Sequence, residues 1–171
     1  MTSTDNVHAL VPRQRAQSPI RPEHVDAMIA LYPGGLRWRR TFPGTPDQIP
    51  HARYFARYLL ADSPHRDDAE LIVAELATNA LQHSSSGGPH GTFVVEITRT
   101  IATITLAVYD CGWGPIPRFA RRCRTNAERG RGLAIVAAIA DQTGHEGNDT
   151  TGHKVWARIH TQTTLKGEDG G

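Results

Sequence analysis

The chain has 171 residues, of which 39% are hydrophobic and 21% are charged, and its formal net charge is +2 at pH 7. This length suits one compact domain with a buried core and is too short for two comfortable ones. Because both charge signs are spread along the chain, the composition gives no support to a nucleic-acid binder or to an acidic tail.

The sequence shows no targeting or membrane segment. Its first thirty residues contain no signal-peptide-like apolar run, and nowhere does it have the roughly 18 consecutive apolar residues that span a bilayer. The two cysteines, Cys111 and Cys123, match no zinc or paired-disulfide spacing, which indicates a reducing compartment and no disulfide. We therefore expect a cytoplasmic protein that is neither exported nor membrane-spanning.

The N-terminal segment is polar and contains four prolines in residues 1–33. Such a segment has few large apolar residues to bury and cannot readily offset the entropy of ordering. We predict a disordered tail over residues 1–33, one folded domain over residues 34–162 and a flexible tail over residues 163–171.

Apolar periodicity predicts the elements of this domain. The first half of the domain is predicted to contain an edge strand over residues 36–42, a helix over 46–61 that starts with a capping-box pattern, and a helix over 67–83. An antiparallel hairpin of strands 92–98 and 101–109 follows. The last elements are a helix that begins at Gly130 and is closed by Gly144, a polar loop, and a strand over 154–159. This order predicts an α+β fold whose mixed sheet carries helices on one face and leaves the other face relatively exposed.

The helix predicted over residues 67–83 places polar groups beside its apolar stripe. Glu75, Asn79 and His83 lie four residues apart, so their side chains stack on one face next to that stripe. A carboxylate there is partly desolvated, which makes Glu75 a candidate general base, and the neutral amide oxygen of Asn79 suits Mg²⁺. Taken alone, the same residues equally fit a solvated helix surface.

The hairpin ends in Asp110-Cys111-Gly112-Trp113-Gly114. The two glycines permit positive φ or close backbone approach, which suits a ligand that lies against the main chain. A carboxylate at this position can accept a hydrogen bond from an exocyclic amine such as that of adenine. On its own, an aspartate at a strand end is more often a cap or turn former.

The last predicted helix opens with Gly130-Arg131-Gly132-Leu133. The free backbone N–H groups and the dipole at a helix start favour anions, so this segment is a candidate phosphate cradle. A glycine-rich helix entry without any ligand explains it equally well. Neither glycine pair completes the dinucleotide-binding fingerprint, and no P-loop pattern occurs.

The three motifs lie on a helix, on a strand-to-turn segment and at a helix start, in that order. Their combination identifies a family much more specifically than any single motif does. They resemble the nucleotide boxes of the histidine-kinase-like ATPases and, more closely, of the small bacterial anti-sigma-factor serine/threonine kinases in that superfamily. The resemblance covers about residues 36–160. It implies a Bergerat-type ATP-binding fold, an α+β two-layer sandwich whose mixed, mostly antiparallel sheet has helices on one face.

The resemblance also implies the cofactors ATP and Mg²⁺ and roles for single residues. Glu75 resembles the general base, Asn79 the Mg²⁺ ligand and Asp110 the residue that holds adenine. The implied ATP contacts are Asn79, His83, Asp110, Gly112, Gly114, Gly130, Arg131, Gly132, Leu133 and Lys154.

One segment departs from the family pattern. The relatives usually read Gly-Lys-Thr-Val-Trp where this chain has Gly152-His153-Lys154-Val155-Trp156. Lys154 therefore stands in the place of a threonine that helps to position adenine or its water, which predicts a weakened nucleotide affinity.

An arginine-rich segment precedes and enters the last predicted helix. It holds Arg118, Arg121, Arg122, Arg124, Arg129 and Arg131. These guanidinium groups suit a triphosphate or an acidic protein surface, and they equally suit a solvated loop. Nucleic-acid binding is the weakest interpretation, because neither interleaved aromatic residues nor a recognition helix accompanies the charges.

By resemblance, the predicted function is an ATP-dependent serine/threonine kinase that binds a sigma factor and phosphorylates a small antagonist protein, controlling transcription by partner exchange. No paired-helix segment with a phosphoacceptor histidine precedes the ATP domain, and the loop between Gly114 and Gly130 is short, which argues against a sensor kinase and a topoisomerase-like lid. A non-catalytic ATP-binding regulator and a simple ATPase remain open alternatives. A homodimer is also left open, and no contact with nucleic acid or membrane is expected.

Overall fold

The structure is a computed structural model that describes residues 22–32, 34–114, 119 and 131–161. In chain order its elements are α1 (Pro22–Leu31), β1 (Leu36–Pro43), α2 (Gln48–Leu59), α3 (Arg66–His83), a 3₁₀ turn (Ser85–Gly87), β2 (Thr92–Arg99), β3 (Thr103–Tyr109), α4 (Arg131–Ile139), β4 (Gln142–Asn148) and β5 (Gly152–His160). The predictions for β1, α2, α3, β2, β3 and β5 are confirmed, with small shifts at their ends.

The described strands form one sheet in the order β1-β2-β3-β5-β4, and each neighbouring pair is antiparallel. The predicted α+β class is therefore confirmed. Side chains alternate between the two faces of a strand, and the helix-facing residues of the central hairpin are all buried. They are Phe93, Val95 and Ile97 of β2 and Ile104, Leu106 and Val108 of β3.

The helix α3 packs on β2, β3 and β5 and is flanked by α2 and α4. Its buried side chains recur at steps of one, three and four, which is the core-facing stripe of an amphipathic helix. They are Ala69, Ile72, Val73, Leu76, Ala77 and Ala80. Because half of this stripe is alanine, and α2 buries Ala52 and Ala56, the neighbouring helices can approach α3 closely. The position of α3 thus sets the positions of both flanking helices.

An aromatic cluster joins the edge strand β1 to the core. Phe42 stacks on Phe93 with ring centroids 5.3 Å apart and meets Phe55 of α2 edge-on at 6.1 Å. Such arrangements are favourable for aromatic rings and bury much apolar surface. They anchor β1, which has a neighbouring strand on only one side in the described sheet.

Part of the segment predicted to be a disordered tail is helical. α1 buries Val25 and Ile29, which lie one turn apart and so point to the same side. A proline at the first helical position is compatible with a helix because the N–H of that position has no intrahelical partner. A single apolar pair is too short a pattern to predict a helix. The remainder of the two predicted tails, residues 1–21 and 163–171, lies outside the described residues.

The strand β4 occupies a region where the sequence predicts a helix end and a polar loop. Its side chains show no apolar alternation, because this edge strand is held by backbone pairing with β5 rather than by a buried face. Gly144 does not close a helix, since α4 already ends at Ile139. It lies opposite Trp156, and a methyl group on Gly144 would come within 2.5 Å of Cζ2 of the indole. The glycine therefore leaves room for the tryptophan ring.

The capping box predicted before α2 is not formed. Asp47 is the N-cap residue, but its backbone is in the helical region and its side chain makes no cap hydrogen bond. A capping side chain normally reaches the helix start from an extended backbone. The side-chain amide of Gln48 instead donates to Oδ2 of Asp47 at 2.9 Å.

The face of the sheet that points away from α2, α3 and α4 is polar. Its centre holds Glu96, which is only 6% exposed. The Glu96 carboxylate binds the guanidinium of Arg39 and accepts a hydrogen bond from the Tyr109 hydroxyl at 3.2 Å. On β5, the guanidinium of Arg158 lies 5.4 Å from the Trp156 ring centroid. These contacts pair the buried charge and cover part of this face with long side chains.

An ion-pair cluster joins α2 to α3 and gives a stability prediction. The Glu70 carboxylate, on a side chain 15% exposed, accepts from Arg57 at 2.9 Å and from Arg53 at 2.8 Å. The hydrogen bond from Arg57 is the main cause of the lowered pKa of Glu70. We expect Glu70→Gln to reduce the free energy of unfolding by about 1 kcal/mol at neutral pH, because the arginines are half-exposed and the pair is partly screened.

The pH dependence of this effect has a defined sign. A carboxyl group with a lowered pKa in the folded state stabilises the fold above its ordinary pKa, and the contribution is lost as the pH falls through the folded-state value. The difference in unfolding free energy between wild type and Glu70→Gln is measured by chemical denaturation at neutral pH and at a pH well below 4.5, the ordinary pKa of a glutamate. Equal stabilities at neutral pH, or a difference that grows on acidification, would contradict the assignment.

No helix within residues 22–32, 34–114 and 131–161 has both the length and the apolar character required to cross a bilayer.

Candidate functional site

The Glu75 side chain lies against the first turn of α4. Glu75 is half-buried on α3, and a methyl group placed on Gly132 would overlap its carboxylate oxygen Oε2 and come within 3.5 Å of its Cδ. A side chain at position 132 would therefore force the Glu75 carboxylate to move away from the helix start. Leu133 and Val136 fix α4 in this position because both are buried in the core.

Two of the other predicted residues lie further along α3. Asn79 is half-buried one turn after Glu75, and His83 is exposed at the last position of the helix. The backbone of His83 contacts the glycine turn after β3, since a methyl group on Gly114 would overlap the His83 carbonyl oxygen. The end of α3 and this turn are thus packed directly on each other.

Hydrogen bonds hold the turn after β3 against the segment that follows α3. The backbone N–H of Ser85 donates to the carbonyl of Gly112 at 2.8 Å, and the backbone N–H of Cys111 donates to Oγ of Ser86 at 2.9 Å. Gly112 has a φ of 72°, in the left-handed region that favours glycine. A Cβ at Gly112 would also come within 2.6 Å of the Asp149 carbonyl oxygen. The glycine is therefore needed for both conformation and space.

Asp110 is the buried charge of this region. Its side chain is 4% exposed, and its Oδ1 accepts the backbone N–H groups of Gly112 and His153, each at 2.8 Å. The carboxylate is oriented by two fixed donors, which compensate part of the cost of removing it from water.

The two sequence interpretations of Asp110 apply to different oxygen atoms. Oδ1 acts as a turn former through its bond to the N–H of Gly112, as an aspartate at a strand end commonly does. Oδ2 receives no hydrogen bond from the residues that the structure describes. This second oxygen is the acceptor that Asp110 can offer to an exocyclic amine.

The structure does not bring Lys154 together with Asp110. Val155 and Ala157 of β5 point into the core, so Lys154 points to the opposite face of the sheet. There its Nζ lies 3.6 Å from Oε1 of Glu146 and 5.9 Å from the ring centroid of Tyr109. The motif spacing that predicts Lys154 as an ATP contact carries no information on the face of the sheet to which the residue points.

His153 lies beside Asp110 instead. The His153 side chain is 1% exposed, and its Nδ1 is 3.7 Å from Oδ1 of Asp110. His153 is not among the residues that the motifs predict, although the sequence carries a signal for it. Counting back in steps of two from Ile159 through Val155 places His153, and not Lys154, on the helix-facing side of β5.

Some of the predicted residues cannot be placed. Gly130 and the arginines at positions 118, 121, 122, 124 and 129 lie outside the described residues. Arg131 is exposed at the first position of α4, where a basic side chain accompanies the N–H groups of the helix start.

The described residues form one continuous region along α3. In the middle of α3, Glu75 meets the start of α4, and at its end the helix contacts the turn after Asp110. A carboxylate, a neutral amide and a helix start therefore lie at one part of the region, and a buried, oriented carboxylate lies at the other. These groups match a ligand with an anionic end, a metal ion and an amine-bearing end.

Comparison with known proteins agrees with this arrangement. The family model described as histidine kinase-like ATPase domain matches residues 42–159. This span contains α3, the turn after Asp110, α4 and most of β5. No curated protein gives a significant match to the chain. Because the match covers well over half of the chain and includes every element that builds the site, the chain belongs to the histidine kinase-like ATPase domain family.

Proposed function

We propose that the chain binds Mg²⁺-ATP and transfers its γ-phosphate to a serine or threonine of a small antagonist protein, as an anti-sigma-factor-type kinase. The observation that carries this proposal is the contact between the Glu75 carboxylate and the start of α4 at Gly132. A helix start attracts phosphate groups through its free N–H groups and its dipole. A carboxylate held beside it is positioned to act on a nucleophile that approaches the terminal phosphate.

The role proposed for Glu75 is that of a general base. Phosphoryl transfer requires a hydroxyl nucleophile to be oriented and its proton to be accepted as it attacks. A half-buried carboxylate with no ion-pair partner among the described residues is free to accept that proton. Its closeness to the helix start at Gly132, the proposed phosphate cradle, supports this role.

The role proposed for Asp110 is recognition of adenine. ATP presents an amine donor at its base, and Oδ2 of Asp110, on a side chain that is 4% exposed, is an acceptor whose orientation is set by the bonds to Oδ1. Because the carboxylate is almost fully removed from water, a ligand that leaves this acceptor unpaired pays a larger penalty than it would at an exposed site.

Asn79 is the proposed protein ligand of Mg²⁺. Protein sites commonly hold Mg²⁺ through one or two oxygen ligands, with phosphates and water completing the shell. We expect Asn79→Ala to weaken ATP binding in the presence of Mg²⁺ and to leave binding without Mg²⁺ nearly unchanged. Calorimetric titrations with ATP, in buffer with magnesium and in buffer with a chelator, test this, and equal losses in both buffers would indicate a packing role for Asn79 instead.

The protein partners in this proposal are a sigma factor and a small antagonist protein that carries the phosphorylated hydroxyl. Support for them comes from the resemblance of the three motifs to the anti-sigma-factor kinases. The arginine-rich segment that includes Arg131 is suited to contact either the triphosphate or an acidic surface of such a partner.

The experiment that tests this function is a phosphate-transfer assay. Purified protein is incubated with γ-labelled ATP, Mg²⁺ and the candidate antagonist proteins encoded near its own gene. Label on a serine or threonine of an antagonist supports the kinase. Release of free phosphate with no labelled protein indicates a simple ATPase. ATP binding without either product indicates a non-catalytic regulator, and both of these outcomes contradict the kinase proposal.

A further inference from the structure

We propose that His153 is a positioning residue that holds the Asp110 carboxylate in the orientation needed to recognise the amine of adenine. This inference rests on the proposed ATP binding and names the side chain that sets the preference for the base. It derives from the burial of the His153 ring and from its two contacts with Asp110.

His153 touches the same oxygen of Asp110 with its backbone and with its ring. Its backbone N–H donates to Oδ1 at 2.8 Å, and its ring atom Nδ1 lies 3.7 Å from that oxygen. The carbonyl of His153 in turn accepts the backbone N–H of Asp110 at 2.9 Å. The imidazole therefore occupies the space on the Oδ1 side of the carboxylate.

The consequence of this packing concerns the other oxygen. A carboxylate is planar, so fixing Oδ1 between Gly112, His153 and the imidazole also fixes the direction of Oδ2. Removal of the ring would leave a polar gap beside a buried charge, which a water molecule would enter. The carboxylate could then turn towards that water, and Oδ2 would lose its alignment with the incoming amine.

The second ring nitrogen, Nε2, makes no hydrogen bond to the described residues that would account for a histidine at this position. Nε2 of His153 is buried and has no hydrogen-bond partner among the described residues. Its nearest charged atom is Oδ1 of Asp149, 3.4 Å away on a side chain that is 68% exposed. Buried polar atoms are normally paired, so an apolar side chain would fill the same space at lower cost. The contact of the imidazole with a buried charged partner is the one on the Nδ1 side, where the Asp110 side chain is only 4% exposed.

The test compares two nucleotides in each variant by calorimetry. One is ATP, and the other is purine riboside triphosphate, which lacks the amine and keeps the triphosphate. We expect wild type to prefer ATP. His153→Ala should lose about tenfold in affinity for ATP, because the hydrogen bond between the amine and the charged Oδ2 of Asp110 is weakened or lost. Affinity for the analogue should stay within about twofold, because its triphosphate contacts are untouched.

Isosteric variants identify the nitrogen that acts. The amide nitrogen of asparagine can occupy the place of Nδ1, and that of glutamine the place of Nε2. His153→Asn should keep the preference for ATP, and His153→Gln should lose it as His153→Ala does. The matched control is His160→Ala on the same strand, where an exposed histidine has its Nδ1 3.5 Å from Oδ2 of Asp141, and it should behave as wild type.

The results separate a positioning role of His153 from a merely structural one. Equal losses for both nucleotides in His153→Ala would show a merely structural role and overturn the inference. An unchanged preference for ATP in His153→Gln would also overturn it, and the asparagine and glutamine pair decides the matter if the alanine variant does not fold. A wild type that binds neither nucleotide would contradict the proposed ATP binding itself, whereas a wild type that binds ATP while the variants keep its preference would contradict only the role of His153.

Discussion

Glu75→Gln is expected to slow phosphate transfer by about 10²–10⁴-fold, the range found when a positioned general base is removed, while ATP remains bound. Glutamine keeps nearly the same shape against Gly132, so the start of α4 should not move. The amide cannot accept the proton of the attacking hydroxyl. The measurement is the rate of label transfer from γ-labelled ATP to the antagonist protein, beside an ATP titration of both proteins.

The matched control for this prediction is Glu70→Gln, which makes the same chemical change on the same helix. Glu70 binds arginines of α2 and lies outside the proposed site, so its variant should transfer phosphate at the wild-type rate when assayed below its melting temperature. Transfer by Glu75→Gln at the wild-type rate would remove Glu75 from the chemistry. A loss of ATP binding in that variant would show that Glu75 is needed to form the site.

Asp110→Asn is expected to lower ATP affinity by roughly ten- to a hundredfold, which corresponds to the loss of a hydrogen bond to a charged acceptor. The amide oxygen of asparagine can still accept the N–H groups of Gly112 and His153, so the turn should keep its structure. The other position becomes an NH₂ group that faces the amine of adenine with a donor in place of an acceptor. Calorimetry with a non-hydrolysable ATP analogue measures the change.

Asp141→Asn provides the control for Asp110. Asp141 also accepts a backbone N–H of β5, that of His160, at 2.7 Å, but it lies at the other end of the strand and is exposed. Its substitution removes the same charge and should leave ATP affinity unchanged. An Asp110→Asn protein that melts like wild type and binds ATP with wild-type affinity would exclude Asp110 as the base-recognising residue.

The elements with a long apolar pattern were predictable from the sequence. α3 has a continuous core-facing stripe, and β2, β3 and β5 carry their core residues at alternate positions, so local patterning and the final packing agree. α1 and β4 carry no such pattern. α1 buries one pair of residues, and β4 is held through the backbone of β5, which side-chain periodicity does not report.

The residues of the candidate site also divide into those that their spacing in the sequence predicts and those that it does not. The spacing of Glu75 and Asn79 and the glycines after Asp110 follow from single elements, and the structure assembles them around α3. The choice between Lys154 and His153 depends on which face of β5 each residue occupies, and this follows from the alternation along the strand and not from the spacing of the motif. The contact between Glu75 and Gly132 joins residues far apart in sequence, so only the packing of α4 on α3 reveals it.

The most direct test of this account is a calorimetric titration of the wild-type protein with a non-hydrolysable ATP analogue in the presence of Mg²⁺. We expect saturable binding at one site per chain, with a dissociation constant below about 1 mM, and clearly weaker binding of the corresponding guanosine nucleotide. A folded protein that shows no saturable binding of the ATP analogue at such concentrations, or that binds the guanosine nucleotide equally well, would contradict it.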